Sequence, residues 1–107
     1  VLVSGASVDE ARLGSETLTG LEARGYGQPV RTAVVALNTA TPSTTQLDVR
    51  ELRKHFERRC RVVTQIPYDV HLAEGAEIDL SRLQPETRDA ALELAANVVD
   101  GLGQGRE

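Results

Sequence analysis

Short apolar runs alternate along the chain with longer stretches in which apolar residues recur every three or four positions. Residues 1–3 (Val-Leu-Val) form an apolar, β-branched run that stops at Ser4-Gly5, and they predict a buried strand. Ser7 with Glu10 three positions on is a capping-box pair, so a helix is expected to open there. Ala11, Gly14, Leu18 and Leu21 give that helix one apolar stripe, and Gly25 stands where a left-handed end belongs. Residues 25–29 then predict a turn. The second apolar run, 32–37, predicts a second buried strand, followed by a polar loop over 38–45. Asp48 as cap, Glu51 behind it and Leu47 with Leu52 as a hydrophobic staple predict the next helix, with Val49, Leu52 and Phe56 inward. Its basic last turn, Arg58-Arg59-Cys60-Arg61, suits the negative end of a helix dipole. Residues 62–66 read as a third strand stopped by Pro67. Residues 68–81 read as a loop with one helical turn at 71–75. Pro85 opens a final helix, with Ala91, Leu94, Ala95, Val98 and Leu102 as its inner face.

Strand, helix, strand, helix, strand, loop, helix is the order of an α/β chain with right-handed crossovers and a parallel sheet. The expected architecture is a three-layer fragment with a small parallel sheet of about three strands flanked by helices. Residues 1–102 are expected to form a single α/β domain, the C-terminal portion of a larger one, with 103–107 as a flexible tail. Two features prompt that expectation: the chain has no Met, and its first residues read as core. Three strands also leave two long open edges, so self-association is expected.

Composition narrows the chemistry. Only Phe56, Tyr26 and Tyr68 are aromatic, so a core must come from Val, Leu, Ile and Ala. The net charge of −4, from 12 basic and 16 acidic residues, argues against non-specific binding to nucleic acid or anionic membranes. No apolar run reaches the roughly 20 residues of a membrane span, and no basic-then-apolar leader opens the chain. A cytoplasmic location is expected. Cys60 is the single cysteine, which excludes an intrachain disulfide.

Ligands of an open parallel sheet bind beyond the carboxyl ends of its strands, here residues 4–7, 38–41 and 67–69. The Asn38 amide offers an acceptor and two donors that match a purine edge, or it closes a turn through its own backbone. Pro67 is suited to hold backbone groups against a base, with Tyr68 stacked on it; the alternative is a turn with Tyr68 packed on a neighbouring helix. Asp69 and His71 are a pair used in catalysis and metal binding, but no third partner is evident, and no catalytic or metal-ligating residue is assigned. His55 is expected at the surface. Arginines beside Cys60 would lower its thiol pKa if it were exposed; a partly buried structural cysteine is the other reading. Arg53, Lys54, Arg58, Arg59 and Arg61 form the one basic patch, read as a solvated helix end or as a site for a phosphate or an acidic partner. The phosphate-cradling pattern GxxxxGK[ST] is absent from all 107 residues.

Residues 34–38 (Val-Val-Ala-Leu-Asn), the capped helix after them and the string 66–75 (Ile-Pro-Tyr-Asp-Val-His-Leu-Ala-Glu-Gly) together resemble the C-terminal half of MinD/ParA-like P-loop ATPases. The nearest flavour is an actinobacterial group reading VPYDPHLAEG followed by xDLxRL, here residues 78–83 (Ile-Asp-Leu-Ser-Arg-Leu). The resemblance implies a P-loop NTPase-like fold and a parent ATPase that binds ATP with Mg²⁺ and dimerises. It also implies work in intracellular positioning or partitioning of chromosomes, division sites, flagella or secretion machinery. It places Asn38, Pro67, Tyr68 and Asp69 at a nucleotide base, with Thr39 departing from a frequently basic position. On this reading the chain alone is not catalytic and takes no cofactor. The other expectation is a non-enzymatic protein-interaction domain derived from that fold, with a protein partner.

Overall fold

Val35 and Leu37, at 0% exposure, are the centre of the molecule, and everything else is arranged on their strand. The computed structural model describes residues 1–39 and 46–104. The elements are β1 (Leu2–Gly5), α1 (Val8–Ala23), α2 (Gly27–Arg31), β2 (Val34–Asn38), α3 (Gln46–Glu57), β3 (Val62–Ile66), α4 (Val70–Ala73), a 3₁₀ turn (Leu80–Arg82) and α5 (Pro85–Gln104). The three strands form one parallel sheet in the order β1-β2-β3. Leu2 stands beside Val35, and Val35 beside Val63. The α/β class, the parallel sheet and its strand number are as the pattern predicts.

The two faces of the sheet are covered by different helices. Leu2, Val35, Leu37 and Val63 point to one face. There they meet Ala11 and Leu18 of α1, Phe56 of α3, and Val30 and Cys60. Both α1 and α3 lie on this side, as right-handed crossovers between neighbouring parallel strands require. Gly14 of α1 belongs to the packing: a Cβ there would stand 3.3 Å from the Phe56 ring. Val3, Ala36 and Thr64 share the opposite face. There α5 crosses β3 and β2, and the Asn97 amide donates to the Thr64 hydroxyl at 3.0 Å.

Capping chemistry sets several boundaries as expected. The Ser7 hydroxyl accepts from the Glu10 N–H at 3.2 Å and donates to the Glu10 carboxylate at 2.8 Å. Gly25 ends α1 with φ +93°, a backbone conformation that disfavours side chains. The start of α3 differs: the helix begins at Gln46, so Asp48 is inside it rather than capping it. The staple expected there rests in part on the side chain of Leu47, which lies outside what is described, as do residues 40–45 and 105–107 entirely.

Three further expectations need correction. The expected turn at 25–29 is cut short, because residues 27–29 already belong to α2: Pro29 is tolerated in a first helical turn and Val30 gains a buried position. The first strand is not buried throughout: Val3 of β1 and Val1 just ahead of it are 68% and 71% exposed, since α5 packs chiefly on the other two strands. The inner face of α5 is Thr87, Ala90, Leu94, Asn97 and Val98, rotated from the predicted stripe, so that Ala91, Ala95 and Leu102 are exposed. Buried Leu83, Thr87 and Ala90 set this rotation, and the pattern underweights Thr87 because it is polar.

Candidate functional site

The carboxyl ends of β2 and β3 stand side by side, with Asn38 paired to Ile66. The Thr39 N–H donates to the Ile66 carbonyl at 3.0 Å, and the Ala6 N–H donates to the Asn38 carbonyl at 3.1 Å, so backbone bonds continue past the strand ends. Immediately beyond lies a cleft of about 120 Å³ lined by Asn38, Thr39, Pro67, Tyr68, Asp69, Leu72 and Ala73. Every residue singled out for base recognition therefore borders one concavity. The Thr39 hydroxyl is buried and has no hydrogen-bond partner among the described residues. Pro67 and Tyr68 are half-buried, and Leu72 and Ala73 of α4 supply an apolar wall.

Asp69 borders the cleft, but both its oxygens are engaged behind it. Oδ1 accepts from the His71 N–H at 2.9 Å and caps α4; Oδ2 accepts from the Gln84 N–H at 2.9 Å, just ahead of α5. These donors, Gln84 first, hold the carboxyl below the usual carboxylate range. Its side chain joins two helix starts and fixes the backbone that presents Pro67 and Tyr68. His71 is buried, and its Nε2 accepts from the Asp79 N–H at 2.8 Å. Asp79 in turn accepts from the Ser81 hydroxyl at 2.7 Å and the Ser81 N–H at 3.0 Å, which caps the 3₁₀ turn and also lowers its carboxyl pKa. The string 69–82 is thus a chain of side-chain to backbone ties. An Asp immediately before a helical turn is the signal that announces such ties, and it occurs at Asp69 and again at Asp79.

The basic patch is largely spent on internal contacts. Arg59 reaches the Ser15 carbonyl and the Thr19 hydroxyl, both at 3.2 Å, and the Glu22 carboxylate. Arg53 pairs with Glu57 at 2.9 Å. Arg61 donates to the carbonyls of Thr32 and Asn97. Cys60 is buried, and desolvation pushes its thiol pKa up against the opposing pull of Arg59. His55 is exposed, with Nε2 at 2.5 Å from the Ser15 hydroxyl. Among the described residues, no three His, Cys, Asp or Glu side chains stand together as metal ligands.

The described residues also border two further grooves. One of about 490 Å³ lies at the amino ends of the strands, bordered by Val1, Pro29, Val34, Val98 and Leu102. Another, about 400 Å³ and open, crosses the outer edge of β3 between Arg53 of α3 and Glu86, Asp89 and Glu93 of α5.

With this geometry in place, the likeness to known proteins is informative. Over 102 residues the chain is 35% identical to the ESX-1 secretion-associated protein EspI of Mycobacterium tuberculosis. The chain is similar to EspI. The same match is found in the proteins of strains H37Rv and CDC 1551, and it takes in 94% of this chain. The chain spans only 15% of the length of those EspI proteins. No family model matches the chain. No solved structure matches it. The similarity to EspI corrects the reading of the chain as the C-terminal half of an ATP-binding MinD/ParA-like ATPase for intracellular positioning: no such family matches, and the relatives are named for secretion. The string 66–75 misled that reading because, in this structure, most of its polar side chains serve the loop itself.

Proposed function

We propose that this chain is a recognition segment of a longer secretion-associated protein of the EspI kind, and that Asn38, Thr39, Pro67 and Tyr68 form its recognition cleft. The observation that carries the first part is the extent of the match, 94% of the chain. The second part rests on convergence: an amide, a buried hydroxyl with no described partner, an aromatic ring and an apolar wall meet in one concavity. Ligand sites commonly enclose ~300–1,000 Å³, whereas this cleft measures about 120 Å³. It therefore suits one flat, hydrogen-bonding ring of the nucleobase kind rather than a whole nucleotide. Asp69 acts here as a positioning residue. In this reading the three strands belong to a wider parallel sheet, as in P-loop NTPase-like folds, and the exposed valines of β1 support that extension. No described helix is long and apolar enough to cross a membrane.

Two experiments test the two parts. Adenosine titrated into the labelled chain should move the Asn38 side-chain amide and Tyr68 resonances, and Asn38→Ala should abolish the shifts. Unmoved resonances at millimolar adenosine would sink the cleft assignment. Deleting the coding segment for this chain from its gene should change the set of proteins released into culture filtrate; an unchanged set would remove the secretion role.

A further inference from the structure

His71 stands where one backbone donor and several charged groups converge. Its side chain is 4% exposed. Nε2 accepts the Asp79 N–H at 2.8 Å, a bond that requires a lone pair on that nitrogen. The neutral ring must then carry its proton on Nδ1. Nδ1 is buried, makes no hydrogen bond among the described residues, and lies 3.5 Å from Glu74 Oε2. The other Glu74 oxygen holds Arg82 at 2.8 Å. The charged groups around the ring are thus Asp69 ahead of α4, Glu74 at its end, Asp79 in the loop and Arg82 in the 3₁₀ turn.

We propose that His71 is a proton-operated latch on residues 74–82. While Nε2 is unprotonated, it holds the Asp79 N–H and draws the loop against α4. A proton from solvent that adds to Nε2 takes up the lone pair, so the bond to the Asp79 N–H breaks and two N–H groups face each other. The resulting cation is matched by Glu74 through Nδ1–H, with Asp69 and Asp79 close by, so the charge is compensated inside the fold. Arg82 then loses part of its hold on Glu74. The released segment carries Ile78 and Leu80, already 58% and 69% exposed, whose position the latch governs. Histidine is the side chain whose ordinary charge change falls between pH 5 and 8. The latch is expected to be local, because the Ser81 N–H to Asp79 and Gln84 N–H to Asp69 bonds do not involve the imidazole.

The test is nuclear magnetic resonance on the ¹⁵N-labelled chain carrying His55→Gln, which leaves one imidazole. At pH 8, His71 should show the Nδ1–H tautomer. Between pH 8 and pH 5, hydrogen exchange at the Asp79 amide, corrected for the intrinsic pH dependence, should accelerate at least tenfold while Val35 and Val63 amides stay protected. Glu74→Gln, which removes the countercharge beside Nδ1, should weaken the acceleration. An Nε2–H tautomer, an Asp79 amide indifferent to pH in this range, loss of protection at Val35 together with Asp79, or an unchanged acceleration in Glu74→Gln would each overturn the latch.

Discussion

The Gln84 N–H donates to Asp69 Oδ2 at 2.9 Å, so one carboxylate fastens the segment leaving β3 to the start of α5. Asp69→Asn keeps the shape but replaces a charged acceptor. The variant is expected to unfold at lower urea than the parent, while Asp9→Asn, at an exposed residue of α1, changes the midpoint little. Equal midpoints for the two variants would count against the tie.

The same carboxylates set the acid limb of stability. Asp69 and Asp79 have folded pKa values below the ordinary ~3.9. In acid the unfolded chain therefore binds their protons first. Their stabilisation is complete above about pH 4 and is lost as pH falls through the folded values. Urea midpoints measured from pH 7 down to 2 should drop in that window, and the drop should be shallower in Asp69→Asn.

Phe56 is fully buried between α1 and the sheet. Phe56→Ala is expected to cost ~3–5 kcal/mol, which chemical denaturation would register. A loss below about 1 kcal/mol would mean that the cavity collapses, contrary to packing this close to Gly14.

Cys60 should be a slow nucleophile. Burial keeps its thiol protonated above its usual range despite Arg59. Labelling with a disulfide reagent at pH 7.5 is expected to be slow in the native chain and fast in urea. Rapid native labelling would show an open environment instead.

Val1 and Val3 leave one side of β1 bare. At high concentration the isolated chain is expected to pair with a second copy along β1, and Val3→Lys should return it to a monomer. Sedimentation velocity decides this, and a wild-type chain that stays monomeric would refute it.

Much of the fold is legible in the sequence because each local signal agrees with the next. Ser7 and Glu10, Gly25, and the unbroken run through Val35 and Leu37 all specify their elements without help from distant residues. The face of α5 is not legible in this way. The expected stripe is wholly apolar, whereas the face turned inward includes polar Thr87 and Asn97, and the choice depends on Thr64 offering a hydroxyl to Asn97 across 33 positions of chain. The cleft residues can be found from topology, since strand ends locate them. The ties through Asp69, His71 and Asp79 are harder to foresee, because a buried histidine that accepts a backbone bond looks the same in sequence as one poised for chemistry.

The acidic flank of α5 has a consequence for the outer margin of the sheet. Glu86, Asp89 and Glu93 border the groove across β3, so an incoming strand there would meet fixed negative charge, while β1 presents valines. A sheet bare on both sides can seed a fibre; one guarded on a single side grows once and stops. If a strand joins this sheet, the valines of β1 make that side the expected one, and growth from it is expected to stop after a single addition.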